Sequence, residues 1–126
     1  MPNAPALKPP VPILRSFDAQ AARAFYLDFL GFSLLFEHRF DPDAPLYMGL
    51  TLGACELHIS EHHGDATPGS ALRIELADVH AYCKLLNAKQ YQNARPAVQH
   101  QDWGWDDMII ADPAGNRLIF CTRHQQ

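Results

Sequence analysis

The chain has 126 residues, 48% of them hydrophobic and 19% charged, with a formal net charge of −4. That length suits one domain with a real core, and the composition excludes a disordered or fibrous chain. Ten scattered Lys and Arg residues offer no basic patch for nucleic acid, and no apolar run approaches the roughly 20 residues that span a bilayer.

In chain order, residues 1–10 are rich in Pro and Ala and predict an extended arm, either a free tail or a strap across a partner subunit. Met1 to Pro12 has neither the basic head nor the hydrophobic stretch of an export signal. A short strand is predicted over 11–15. Asp18 can cap a helix over 19–30, because its carboxylate accepts from the free amides of the first turn. Ala22, Phe25, Tyr26 and Phe29 give that helix one apolar face, and Gly31 supplies a left-handed end. Strands over 32–40, 46–52 and 54–60 follow, broken by Asp41-Pro42-Asp43-Ala44-Pro45 and by Gly53. The loop 61–69 closes this half.

The order then repeats: a strand over 71–76, Asp78 as a cap, and a helix with Tyr82, Leu85 and Leu86 on one face. A weak strand near 97–99, a stronger one over 107–111, the turn Asp112-Pro113-Ala114-Gly115-Asn116 and a last strand over 117–122 complete it. The two caps lie about 60 residues apart, and Gly53 and Gly115 each precede a final strand. This predicts an α+β fold of two βαβββ modules, about 11–62 and 70–123, within one domain over 11–124. Each module alone leaves a sheet face uncovered, so a second module or a second chain is needed to complete a core. Cys55, Cys83 and Cys121, odd in number and each in an apolar stretch, point to reduced thiols in a cytoplasm instead of a disulfide framework.

Four stretches carry a likeness to a known family: Val11-Pro12-Ile13-Leu14-Arg15, Ala24-Phe25-Tyr26-Leu27-Asp28-Phe29-Leu30-Gly31-Phe32, Gln101-Asp102-Trp103-Gly104-Trp105 and Asp112-Pro113-Ala114-Gly115-Asn116. Together, across 11–123, they resemble bleomycin resistance proteins of the glyoxalase superfamily, also called the vicinal oxygen chelate fold. The helix-Leu-Gly-Phe and Asp-Pro-x-Gly-Asn signals mark the superfamily. The Gln-x-Trp-Gly motif running into the penultimate strand marks the antibiotic-binding branch. The resemblance implies curved sheets that each form a cleft, and a homodimer with sites at the subunit interface. It also implies sequestration of bleomycin-type glycopeptides with no protein-bound catalytic metal, whereas the superfamily's enzymes hold a divalent metal in the cleft.

In those enzymes the metal ligands stand at one inward position on each of four central strands. Here the matching positions are Val11, Glu56, Leu72 and Ile119 or, two residues along the same faces, Ile13, His58, Ile74 and Cys121. Neither set reaches the three protein ligands of a catalytic zinc, so no cofactor is expected. A metal-dependent isomerase, lyase or dioxygenase would need Glu56 and His58, or the loop pair His62 and His63, as ligands.

For binding, Trp103 and Gly104 match the motif that lines the family's crevice: an indole stacks on a planar ring system, and a glycine lets that ring lie close to the backbone. Trp105 stands where the family often has a basic residue. Phe36 matches a crevice aromatic and reads equally as core, and Ser60 matches a polar contact and reads equally as a strand cap. Arg73 and Glu75, alternating with Leu72, Ile74 and Leu76, either line the cleft or pair with neighbours. Asp102, Asp106 and Asp107 suit a cationic ligand and suit a solvated acidic turn as well. No phosphate loop, nucleophile elbow or Cys-x-x-Cys pair is present. The cysteine usage predicts a cytoplasmic protein, and the resemblance implies a homodimeric, non-enzymatic binder of a cationic small molecule of the bleomycin type. A metal-dependent enzyme and a binder of another metabolite are the alternatives.

Overall fold

Asp18 and Asp78 start the two helices as their positions predict. In the computed structural model, which describes residues 4–124, Asp18 Oδ1 accepts from the Ala21 amide at 3.2 Å and Asp78 Oδ1 from the Ala81 amide at 3.0 Å. The first helix, α1, spans Ala19–Arg23 and continues as a π-helical turn over Ala24–Phe29, where the sequence predicts plain α-helix. The Leu30 amide bonds five residues back to the Phe25 carbonyl at 2.9 Å. The widened turn lies under four large side chains, Phe25, Tyr26, Phe29 and Leu30, all buried. Gly31 follows at φ +92°, as its place at the helix end requires.

Around α1 stand β1 (Ile13–Arg15), β2 (Ser33–His38), β3 (Tyr47–Leu52) and β4 (Cys55–Ser60). The second module repeats them as β5 (Ala71–Glu75), α2 (Val79–Ala88), β6 (Val98–Gln101), β7 (Trp105–Ala111) and β8 (Arg117–Arg123). The sheets run in the orders β1-β4-β3-β2 and β5-β8-β7-β6. In both, the first strand pairs in parallel with the last and the remaining pairs are antiparallel. This is the α+β architecture of two βαβββ modules. Strand β1 begins at Ile13, two residues later than predicted. Strand β7 begins two residues earlier, because Trp105 pairs with Gln101 across the 102–104 turn. Residues 4–12 form neither helix nor strand, and 1–3 of the predicted arm lie outside the described residues.

Strand alternation sorts each sheet into a core face and an open face. Leu57 and Ile59 of β4 are buried, while Glu56 and His58 turn the other way. Leu72 pairs with Leu118 and Ile74 with Phe120 on the core side, so Arg73 and Glu75 fall on the open side. This corrects the predicted metal positions on β5: Leu72 and Ile74 point away from the open face. Leu85 is corrected too, being 57% exposed. The inward stripe of α2 is Val79, Tyr82, Cys83 and Leu86, at i, i+3, i+4 and i+7.

The Asp112–Asn116 turn does more than reverse the chain. Tyr26 donates its hydroxyl to Asp112 Oδ2 at 2.6 Å, and Asp112 Oδ1 accepts from the Ala114 and Asn116 amides at 2.9 and 2.8 Å. Asn116 Nδ2 donates to the Arg15 carbonyl at 2.9 Å, and its Oδ1 accepts from the Ser70 amide at 3.1 Å. The buried Asp112 and Asn116 side chains of this turn thus join both modules. Burial and the Asp112 charge hold the Tyr26 phenol well above its usual ionisation range, keeping it a donor. The three cysteines are free thiols, and among the described residues no helix is long and apolar enough to cross a membrane.

Candidate ligand site on the open sheet faces

The register of the first sheet gathers Phe36, Gly49 and His58 in one row, with Phe36 opposite Gly49 and Gly49 opposite His58. A register shift between Leu34 and Phe36 sets Phe36 in this row. Its ring lies so close over Gly49 that a Cβ there would overlap it. Phe36 stacks on Tyr47 at 6.1 Å with a 14° tilt, and both rings meet His58 edge-on at 5.3 Å. His58 Nε2 bonds Glu56 Oε2 at 2.7 Å, and Nδ1 bonds the Tyr47 hydroxyl at 2.7 Å. A carboxylate only accepts, so Nε2 donates to Glu56 and Nδ1 meets the Tyr47 hydroxyl. Burial, with the charges of Asp65 and Glu56, raises the Tyr47 phenol above its usual value and keeps it a donor. The Glu56–His58–Tyr47 chain locks two rings, and the bare Gly49 backbone seats the third.

On the second sheet, the Arg73 guanidinium packs against both indoles, 5.1 Å from each of the Trp103 and Trp105 rings, and Arg123 lies 4.7 Å from Trp105. Arg73 is anchored from below by Asp107, with Nη2 to Oδ1 at 2.7 Å. That bond is the main cause raising the Arg73 ionisation above its ordinary value. Arg123 pairs with Glu75 at 3.3 Å. The charged face predicted for β5 is therefore built as ion pairs beneath aromatic rings.

Phe36 and Arg73 thus sit on open faces, as do Trp105 and the turn residue Trp103, which is 60% exposed. Ser60 does not. It is fully buried; its hydroxyl donates to Asp65 at 2.6 Å and accepts from the His62 amide at 3.1 Å, so it builds the loop instead of meeting a ligand. Gly104 stays open. Nothing stands within 4 Å of where its Cβ would be, which leaves the backbone open to a close approach, and its φ of +107° independently favours glycine in the turn. Of the three acids near the motif, Asp107 serves Arg73 and Asp106 faces the helix side, leaving Asp102 exposed on the turn. Tyr47 and Gly49 escaped the sequence reading. Their only trace in it was their alternation along a strand whose partners were unknown.

Glu56 and His58 come together, but no third donor joins them: among the described residues the only group of three or more metal-type ligands within reach of one another lies elsewhere. The ring of His62 packs against Phe40, and the carbonyl of His63 accepts from Arg15. At the matching positions of the second sheet, Cys121 is buried beneath Arg73 and Glu75 is paired with Arg123. The superfamily's catalytic metal therefore does not fit the donor set of these faces.

A hollow of about 740 Å³ lies between the modules, lined by Leu30, Leu52, Cys55, Ile74, Tyr82 and Leu85 among others. Its hydroxyl and ammonium donors are already committed to backbone, Tyr82 to the Leu30 carbonyl at 2.7 Å and Lys89 to those of Asp28 and Phe29 at 2.9 and 2.7 Å. It is a mostly apolar joint whose one lining carboxylate, Glu75, is paired with Arg123.

Two modules that each bury one sheet face under a helix and leave the other open, aromatic and ion-paired define a paired-module α+β scaffold. The chain belongs to the glyoxalase superfamily, whose family model matches residues 6–126. No curated protein matches it. Among solved structures it is similar to a bleomycin resistance determinant encoded on transposon Tn5, with 24% identity, TM-score 0.73, and coverage of 94% of this chain and 100% of that one. It is also similar to the bleomycin-binding protein of bleomycin-producing Streptomyces verticillus, solved with copper(II)-bleomycin, at 29% identity and TM-score 0.65, over 97% and 100% of the two chains. A glyoxalase family protein from Enterococcus faecalis matches at 22% identity and TM-score 0.66, over 88% and 93%.

Proposed function

We propose that the chain is a non-enzymatic binder that sequesters a planar, cationic antibiotic of the bleomycin type between the open sheet faces of two copies. The observation that carries this is the preorganised aromatic surface: Phe36, Tyr47 and His58 locked on one sheet, Trp103 and Trp105 over Arg73 on the other. Rings fixed before binding lose little freedom on binding. They offer stacking faces for a planar group, with Asp102 and the half-exposed Glu56 beside them to meet its charge. Every residue of β2 is exposed, Leu34, Leu35 and Phe36 included. A second copy laid there would cover this apolar strand and complete the cleft. The 29% identical relative solved with copper(II)-bleomycin supports the ligand class, and the free thiols fit a reducing cytoplasm. Against a metal-dependent enzyme stands the donor set, two ligands where three are needed.

The test is calorimetric titration of chelator-treated protein with metal-free and copper-loaded bleomycin, alongside sedimentation to establish the dimer. Submicromolar binding is expected, weakened about 30-fold or more by Trp103→Ala or Phe36→Ala, as for buried aromatic anchors. Absence of binding, or variants that bind like the parent, would refute the proposal.

A further inference from the structure

Three imidazoles converge on one carboxylate, away from the open faces. Asp106 Oδ1 accepts from His100 Nδ1 at 2.9 Å and from His124 Nε2 at 2.6 Å, and its Oδ2 lies 2.7 Å from His80 Nε2. The His100 and His124 rings stack face to face, 3.9 Å apart and 1° from parallel, so their nitrogens point side by side at the same oxygen. We propose that His80, His100, His124 and Asp106 form a binding site for a divalent transition ion of the zinc or copper class.

Four separate elements hold these side chains in place. Asp106 and His100 face each other across β7 and β6. His80 sits in the first turn of α2. His124 follows β8, where its amide donates to the Gly104 carbonyl at 2.9 Å. Asp106 pairs with Thr122, whose hydroxyl caps the Val79 amide, which places the cluster on the helix side of the sheet. Ligand atoms of His100, Asp106 and His124 all lie within 4.8 Å of one another.

Ligands about 2.0–2.1 Å from a tetrahedral zinc stand about 3.4 Å apart. The 2.6–2.9 Å separations from Asp106 need to open by less than 1 Å. The parallel His100 and His124 rings must also tilt to converge on one ion, and His80, outside the 4.8 Å group, must swing in. The His80 and His100 side chains, 62% and 70% exposed, have room for this. Each ring then gives an unprotonated nitrogen to the ion and keeps its proton on the other. Imidazole with one carboxylate selects zinc, copper or nickel, whereas calcium and magnesium require oxygen ligands throughout. The exposure of two ligands gives an ion direct access from solvent.

The experiment is titration of chelator-treated protein with Zn²⁺ by calorimetry and with Cu²⁺ by electron paramagnetic resonance, which reads nitrogen ligation directly. One ion per chain is expected at micromolar or lower Kd, with nitrogen hyperfine structure. Loss of an outer-sphere partner alone costs about 10–100-fold in metal affinity. His100→Ala and the double variant His100→Ala/His124→Ala should therefore lose at least tenfold, and His58→Gln nothing. His100→Ala removes a largely exposed ring, so its effect is read on a folded chain, checked by circular dichroism. No binding at 100-fold molar excess of ion, unchanged binding in the His100 variants, or loss of binding in His58→Gln would overturn the site.

Discussion

Arg73→Met isolates the ion pair under the two indoles. Asp107 is 3% exposed, and Arg73 is its only cationic partner among the described residues. Removing one member of a buried pair costs about 3–5 kcal/mol. The Arg73 side chain is 39% exposed, so water reaches the vacated space and the expected cost falls to about 2 kcal/mol. Methionine keeps an apolar stem against the indoles, which confines the loss to the charge. Asp107→Asn leaves Arg73 at the surface with an amide still accepting, at about 1 kcal/mol. Because both substitutions remove the same contact, the double variant should cost about 2 kcal/mol, not 3, a coupling near 1 kcal/mol. Urea unfolding of the four proteins measures it, with a Tm fall of about 3–5 °C per kcal/mol as a check. Additivity within about 0.3 kcal/mol would show that Asp107 does not depend on Arg73 and would remove the argument that this pair sets the indoles.

Gly49→Ala should displace Phe36 and cost about 1–3 kcal/mol by overpacking, while weakening ligand binding as much as Phe36→Ala does; calorimetry and thermal melting check both. Tyr26→Phe removes a buried donor to Asp112 and should destabilise by about 1.5–3 kcal/mol, with ligand affinity unchanged in the folded fraction. Hydrogen bonding to His80 is the largest cause lowering the Asp106 carboxyl to about 2. Such a depressed group contributes stability that is full above its unfolded value near 4 and is lost as pH falls through 2. Wild type should therefore lose stability more steeply than Asp106→Asn between pH 4 and pH 2, in acid melts monitored by circular dichroism.

The fold was legible in the sequence because its signals are local. Asp18 and Asp78 cap, Gly31 ends a helix, and the 60-residue spacing declares two modules before any contact is known. The π-helical turn was not legible, since Ala22, Phe25, Tyr26 and Phe29 satisfy an α-helical stripe equally well. Half of the candidate site carries local signals too: Trp103, Trp105, Arg73 and Phe36 stand out by motif or alternation. Ser60 misled because strand position says nothing about a loop folding back, and here Asp65 claims the hydroxyl. Gly49 gave no signal because the ring that requires it arrives from the neighbouring strand. His80, His100 and His124 are spread over 44 residues of sequence and meet only through the register that sets His100 opposite Asp106.

Asp106 and Asp107 condense the chemistry of the second module. They are neighbours on β7, and alternation sends them to opposite faces, Asp107 to Arg73 beneath the indoles and Asp106 to three imidazoles on the helix side. A ligand on the open face and an ion on the other would therefore share no side chain. Their common structure is the turn 102–104, where the Gly104 carbonyl accepts from the His124 amide and Trp103 reaches the open face. His100→Ala, on β6 with its ring on the helix side, should abolish tight ion binding and leave bleomycin affinity within about twofold, since surface changes away from a site shift energies by less than about 0.5 kcal/mol. A drop of tenfold or more in bleomycin affinity, measured on chelator-treated protein, would instead mean that the imidazole cluster sets the turn's geometry and that the two faces act as one site.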